Sequence, residues 1–527
     1  MQDTPKITPT VGRILIVFSL LYVSQLSAFA APPKVDFLYP AGGQLGTTVE
    51  VTLGGSVAPW PAEIWASHSG ITAKAAKKAG EISVTIAKDT PPGMHWLRVY
   101  NADGASIAKP FIVGQLLEKN EKEPNDRTEQ ANATDQNVVF NGSLQKNGDV
   151  DCFAIDAKAG QTIVASLQAN NILGAPVDAI LQLTDLQGNV LQQNHDHQGL
   201  DPQIAFPVAK DGQYVVRVFA FPATPSSSIR FFGSTDSVYR LSLTTGPWLD
   251  STWPLAVQES KAEKVKLIGW NIPQGTMMAP SQPAGVVSLP GGGNFATVLL
   301  ENHPTLVLKT PHEPLELPVT CSCQLPENEK VVRVQFLAKP GRLQIDCFPG
   351  TPDRAITPTM RLLDAAQKQV IYVEPRTPID KPVLSTVIRT AGQYTLEVRD
   401  LYQQASPRSS FAVRIVQPKP DFEAIIAEDH WVLPLKGQLD LAVKVEKKDG
   451  YRDPIEWKVT GLPADVGLEV LPAGKKPTDP VTIRLRAKKA FPATTFQIVG
   501  TSGAISKVVR FSHPNGLSID QLWLQSN

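Results

Sequence analysis

The stretch "DGQYVVRV" at 211–218 returns as "AGQYTLEV" at 391–398, 180 residues on, and this echo constrains the fold more than any other feature of the chain. It is not isolated. "AILQLTDLQGNVL" (179–191) answers to "PTMRLLDAAQKQV" (358–370), "AIDAKAGQTIVASL" (154–167) to "QFLAKPGRLQIDCF" (335–348), and "SVYRLSLT" to "SSFAVRIV". Each matched piece alternates apolar and polar residues at period two, as half-buried strands do. A fainter echo sets "TVEVTLGGS" (48–56) beside "EKVKLIGWN" (263–271). Together the echoes imply two pairs, each a small module followed by a larger strand-rich one.

The remaining segments read the same way. "TTVEVTLGG", "ITAKAAKK", "EISVTIAKD" and "MHWLRVYNADG" are strand patterns parted by turn residues, the last ending in an Asp-Gly hairpin signal. "QLDLAVKVEKKDG", "IEWKVTGLPADVGLEV", "VTIRLRAKKA" and "TFQIVGT" continue the habit over 418–513, at the spacing of a sandwich. Proline (45) outnumbers glycine (37), which disfavours long helices and tolerates strand edges. A length of 527 residues predicts about three to five domains. The expected fold is all-β, a tandem array of about five β-sandwich modules. The expected boundaries are 1–30 (signal peptide), 31–117, 118–246, 247–312, 313–417, 418–513 and a tail at 514–527 whose Leu522, Trp523 and Leu524 should pack on something.

Lys6 and Arg13 precede the apolar run "ILIVFSLLYV", and Ala28-Phe29-Ala30 fits a small-x-small cleavage site. The run is too short to span a bilayer at roughly 20 residues, so export and a mature chain from near Ala31, with no membrane span, are expected. Location in the periplasm, at the cell surface or outside the cell stays open. With 50 basic and 50 acidic residues, no net field draws the chain to nucleic acid. Four cysteines (152, 321, 323 and 347) leave either buried thiols or a Cys323–Cys347 or Cys321–Cys347 disulfide, and fit a zinc site poorly.

At 121–217 the residues become recognisable. "EPND" (123–126), "NGSLQKNGDVDCFAIDAKAGQTI" (141–163), "GAPVDAILQLTDLQGNVL" (174–191) and "DGQYVVRV" follow one another in the order of the bacterial pre-peptidase C-terminal (PPC) domain, which this region resembles. The copy at 315–417 keeps the later strands but lacks the acidic opening and the G-D-x-D motif, and so resembles a degenerate PPC domain. "LYPAGGQLGTTVEVTLGG" and "DTPPGMHWLRVYNADGAS" look like a TIG/IPT-type immunoglobulin-like domain, and 418–513 resembles an immunoglobulin-like module. The layout is similar to large exported multidomain proteins of planctomycetes. The resemblance implies extracytoplasmic sandwiches that accompany catalytic domains rather than act as the catalyst.

No catalytic constellation is expected. His-Glu-x-x-His, Gly-x-Ser-x-Gly and a Walker loop are all missing from the sequence, and "PGGGN" (290–294) reads as a loop. His195 and His197 sit in the polar connection "NHDHQGLD" with Asp196 and Asp201, where a surface loop is the simpler reading than a metal site. Trp60, Trp65, Trp96, Trp248, Trp253 and Trp270 are expected in cores or between modules rather than as a sugar platform.

The stretch "EKEPND" (121–126) is the exception. In an extended chain Glu121, Glu123 and Asn125 share a face, with Asp126 at the turn, and "GDVD" repeats the spacing at Asp149 and Asp151. Calcium takes six to eight oxygen ligands, and the two clusters together supply four or five. The collagen-binding modules of bacterial collagenases, related to the PPC family, bind calcium through a similar Glu-x-Glu-x-Asn-Asp linker. That resemblance implies the same role for Glu121, Glu123, Asn125 and Asp126. A solvated linker with local capping bonds, or a partner-docking surface, remains the alternative. The expected protein is non-catalytic, serving binding, adhesion or scaffolding at the envelope, with an extracellular polymer (polysaccharide or protein) or an envelope protein as partner. An accessory or inhibitory partner of a secreted peptidase is the alternative, ahead of a hydrolase with an unrecognised site.

Overall fold

The computed structural model describes residues 31–526, except 136, 226, 228, 229, 262, 282–284, 351–355, 377–381, 407 and 475–478. The signal-peptide expectation lies outside these residues. The described residues contain strands, turns and a single 3-10 turn at Thr128–Gln130, as the period-two pattern requires. None of their helices is long and apolar enough to cross a membrane.

The two large repeats share one topology. In the first, Leu117–Asn120, Val138–Ser143, Val238–Thr244, Thr162–Gln168 and Gln203–Pro207 form one sheet in that order. In the second, Thr305–Val307, Val319–Gln324, Ser410–Val416, Gly341–Pro349 and Val383–Ile388 take the same places. The opposing sheet runs Asn132–Thr134, Asp151–Ala157, Gly212–Pro222, Val177–Thr184 and Val190–Asn194. Its second copy runs Val332–Ala338, Gly392–Asp400, Pro358–Leu363 and Gln369–Val373, with a lone Leu315–Phe336 bridge where the first copy has the strand Asn132–Thr134. The echoed tyrosines are equivalent in detail. Tyr214 Oη donates to Lys210 O at 2.8 Å, and Tyr394 Oη to Thr390 O at 2.8 Å. The strand Thr305–Val307 shows that the second copy's sheet begins inside the segment assigned from the sequence to the preceding small module.

Each sandwich closes on its own apolar layer: Phe153, Leu181 and Leu241 in the first large repeat, and Phe336, Leu396 and Val413 in the second. Val84 and Phe111 centre the first small module, Val265 and Val287 the second, and Val443 and Ile498 the last. In these alternating strands the inward residue is fully withdrawn from water, and each such side chain contributes about 1.5–3 kcal/mol. Leu522, Trp523 and Leu524 form the strand Leu522–Ser526, which runs parallel to His430–Leu433 and completes a sheet of the last module.

The modules are not beads on a thread. Tyr39 joins the first to the second, Asn271 and Trp248 join the second to the third, and Arg414 joins Glu301 across the third and fourth. Arg342 bonds Asp449 at 2.6 Å, linking the fourth to the fifth. The fifth then returns to the first: Arg98 Nη2 meets Asp429 Oδ2 at 2.5 Å, both side chains 1% exposed, 331 residues apart. Trp523 lies on Tyr100 and Trp65 at the same interface, with centroids 4.6 and 6.0 Å away, and Gln525 Nε2 donates to Asn101 O. Inter-module packing therefore accounts for Trp65, Trp248 and the C-terminal tryptophan.

No disulfide forms: all four cysteines are free and buried. Cys321 and Cys347 both face Val413, one from each side, because the strand Ser410–Val416 runs between theirs. Two strand spacings, about 9.6 Å, exceed the roughly 4.4–6.8 Å between Cα atoms that a disulfide spans.

Candidate metal centre

Asp149 and Asp151 enter the first large sandwich at one corner. The turn 145–149 is held by Gln145 N donating to Asp149 Oδ2 at 2.6 Å, and Asp151 opens the strand that pairs with Gly212–Pro222. The "EKEPND" segment is laid against this corner by backbone bonds: Glu121 N to Asn141 O, and Cys152 N to Asn125 O, each 2.9 Å. Lys122 and Asn132 exchange two further bonds. The strand Leu117–Asn120 ends before Glu121, so the alternation rule expected for this stretch does not apply beyond it.

The structure draws together the carboxylates of Glu123, Asp149 and Asp151, with ligand oxygens within 4.8 Å of one another. Asn125, fully buried, places its amide tip 2.8 Å from Glu123 Oε2 and 3.1 Å from Asp151 Oδ1. With its nitrogen toward them, the amide donates to both. With its oxygen toward them, three oxygens face one another and need a cation between them. Asp149 Oδ1 is buried without a hydrogen bond, and Lys146 Nζ stands 3.9 Å off. Glu123 is exposed, so the cluster opens to solvent on its side.

Glu121 and Asp126 are placed differently. Glu121 turns inward, where Oε1 accepts Ser143 N at 2.7 Å and Oε2 accepts Tyr239 Oη at 3.1 Å. The same phenol donates to Asp151 Oδ2 at 2.6 Å. Asp126 is half-buried and stands outside the group of three. Tyr239 was not foreseen. Its only signal in the sequence is that it faces this corner once the strand Val238–Thr244 is registered against Val138–Ser143.

A phenol has one proton and cannot satisfy two carboxylates as anions at once. Burial, followed by the Glu121 charge, pushes the Asp151 carboxyl well above its usual range, and burial pushes Glu121 up to about 7. Glu123 is raised as well, again by burial first. The corner thus holds more negative charge than its own donors neutralise. It can relieve that by binding protons or a hard cation, and an all-oxygen donor set of carboxylates and an amide fits calcium.

The second copy shows that the fold does not need these groups. By register, Val332 stands where Asp151 does, Phe411 for Tyr239, Leu308 for Glu121, and Lys330 for Asp149. A buried acidic corner in one copy is replaced in the other by three apolar side chains and an exposed lysine.

The histidine stretch does not converge. His195 pairs with its neighbour Asp196 at the surface, while Asp201 is buried and caps Asn170 N and Asn171 N. The glycine run joins modules, Gly291 N donating to Gln115 Oε1.

Residues 149–220 match the family model of the bacterial pre-peptidase C-terminal domain. A probable subtilase-type serine protease of Deinococcus radiodurans is 38% identical over 73 residues, 14% of this chain. The chain spans about a tenth of that protease's length. Among solved structures, the pre-peptidase C-terminal domain of a Bacillus anthracis collagenase is 19% identical, covering 24% of this chain and all of its own, at a TM-score of 0.17. Domains 1–6 of the surface layer protein SbsC are 10% identical, covering 94% of this chain and 59% of their own, at a TM-score of 0.14. At such scores neither structure fixes the arrangement of the modules. The family match begins at Asp149, where the 145–149 turn ends, and runs over the strands that carry Asp151 and the echoed tyrosine, and residues 149–220 of this chain are a bacterial pre-peptidase C-terminal domain.

Proposed function

We propose that this is an exported, non-catalytic protein of tandem β-sandwiches that serves binding or scaffolding at the cell envelope, with calcium stiffening the entry to its first large sandwich. The observation that carries the calcium reading is Asp149 Oδ1, buried and without a hydrogen bond in a corner that already gathers Glu123 and Asp151. Glu123, Asn125, Asp149 and Asp151 would hold the ion, with Glu121 and Tyr239 orienting Asp151 from behind. A bound calcium ion supplies positive charge to a site that otherwise needs protons. It thereby fixes the 121–127 segment to the sandwich and stabilises the folded state by mass action.

The scaffolding reading draws support from the loop of module contacts, and from a PPC domain whose matched relative carries it as one part of a much longer chain. That relative, a probable protease, also favours a second reading, a companion of a secreted peptidase. Thermal melts of EDTA-treated protein with and without calcium test the first reading. A calcium-dependent rise in Tm is expected in the native chain and is expected to vanish in Glu123→Ala and Asp149→Asn. The same melting temperature with calcium as with EDTA removes the calcium proposal. Capture from an envelope fraction, compared with capture of a co-expressed secreted peptidase, separates scaffold from companion.

A further inference from the structure

Trp65 and Trp96 lie on the face of the first module that receives the last one. Trp65 stands opposite Arg98 in strand register, and Trp96, two residues before Arg98, projects to the same side. The Ser67 hydroxyl accepts Trp96 N at 2.9 Å and ties the two strands together beside the rings. The 518–521 segment of the last module faces them, held by the pairing of Ser518–Ile519 with Arg510–Ser512 and leading into Leu522–Ser526. Between the modules lies a cavity of about 190 Å³, lined by Trp65 and Trp96 on one side and by Ile519, Asp520 and Gln521 on the other. Neither module encloses it alone, so it exists only while the Arg98–Asp429 joint is closed.

The fold leaves the polar groups of this cavity unused. Among the described residues, the indole N–H groups of Trp65 and Trp96, the Asp520 carboxylate and the Gln521 amide make no hydrogen bond. Both tryptophans and Asp520 are half-buried, and Gln521 is exposed. Charge does not select the ligand. Asp520 stands opposite Arg510 by strand register, Lys109 follows the lining residue Ala108, and Arg98 and Asp429 pair with each other nearby. A cation therefore meets no surplus of negative charge here. What remains is two indole surfaces, with unused donors and acceptors around them. That pattern fits a neutral ring with apolar C–H faces and hydroxyls at its edge, which is a sugar. The volume falls below the roughly 300–1,000 Å³ of sites for larger ligands and gives room for one sugar unit rather than several.

We propose that this cleft binds a single neutral sugar unit of an envelope polysaccharide, its ring against Trp65 and Trp96 and its hydroxyls bonded to Asp520 and Gln521. The proposal names a polymer class for the envelope-binding function above and rests on that reading. Because both modules supply the walls, the sugar binds only the docked state and shifts the joint toward closure.

An array of neutral and acidic glycans probed with the full chain, followed by calorimetry on the best-retained oligosaccharide, tests this. A neutral glycan should be retained and should change the tryptophan emission. Asp520→Ala should weaken it about tenfold or more, the loss of a bond to a charged acceptor. Melting temperature and solution scattering matching the native chain show that this variant stays folded and docked. Asp429→Ala, which lies outside the cleft but opens the joint, should lose binding, and Arg98→Met with Asp429→Leu should restore most of it. Glu123→Ala should have no effect. Retention of acidic glycans alone, or of none, overturns the proposal. Native-strength binding by Asp520→Ala, or by an Asp429→Ala chain that scattering shows to be open, places the sugar elsewhere and also overturns it. Retention on envelope fractions separates the two readings: persistence in Asp520→Ala without glycan binding refutes this site alone, whereas no retention of the native chain refutes the envelope function itself.

Discussion

Replacing Asp429 with alanine should undock the last module from the first without unfolding either. Arg98 and Asp429 are each 1% exposed, and the Arg98 guanidinium has one other recorded bond, to Ser106 O at 2.7 Å, while its Nε has none. Removing the carboxylate leaves a buried cation without its counter-charge, a loss of about 3–5 kcal/mol. The surrounding contacts are modest: Gln525 to Asn101, His513 to Ala108, and the rings of Trp523, Tyr100 and Trp65. Each module has its own buried layer, so the loss falls on docking rather than on the cores. The variant should show red-shifted tryptophan emission and a larger radius of gyration in solution scattering, with its far-ultraviolet β signature kept. Arg98→Met with Asp429→Leu should recover most of the docking, because an apolar pair of similar size needs no counter-charge. Unchanged emission and scattering in Asp429→Ala, or a double variant as open as the single one, would refute the reasoning.

Three further outcomes are expected. Glu121 holds its proton up to about 7 rather than 4.5, so in metal-free protein its stabilisation is full below about 4.5 and fades as pH rises through 7; at about 1.4 kcal/mol per pH unit this is roughly 3 kcal/mol. Melts in EDTA should therefore fall in Tm between pH 5 and 8, while calcium should flatten the curve and have little effect at pH 5. Transplanting the second copy's residues as Glu121→Leu, Asp151→Val and Tyr239→Phe should keep the fold, judged by circular dichroism, and abolish the calcium response. The four buried thiols, with Cys152 pushed up to about 11 and Cys321 to about 12 by burial, should resist a thiol reagent in the native protein and react fully once unfolded.

Strands and repeat were legible because inward residues such as Val216 and Leu396 recur at period two, and the echoed pieces kept that phase. The acidic corner was half legible. Glu123, Asp149 and Asp151 announced themselves by spacing, but Glu121 was assigned a direction that only an extended chain would give it. Tyr239 sits in an ordinary alternating strand, and nothing local marks a phenol that bridges two carboxylates. Between buried thiols and a disulfide the sequence left the choice open for a similar reason, since chain spacing says nothing about the strand Ser410–Val416 that intervenes, and the structure has the buried thiols. Nothing in "MHWLRVYN" marks Arg98 as buried, and its partner lies 331 positions away, beyond any periodicity.

That last contact alters the mechanics of the whole chain. Five bodies strung in series can each swing about their own joint, and reach grows with every hinge. Once the fifth is bolted to the first, the joints form a closed linkage in which no hinge turns unless others turn with it. A brace at one corner, such as an ion pinning residues 121–127, then stiffens joints it never touches. Pulling the first and last modules apart would load the Arg98–Asp429 bolt first, and its rupture would release the slack stored in three intervening sandwiches.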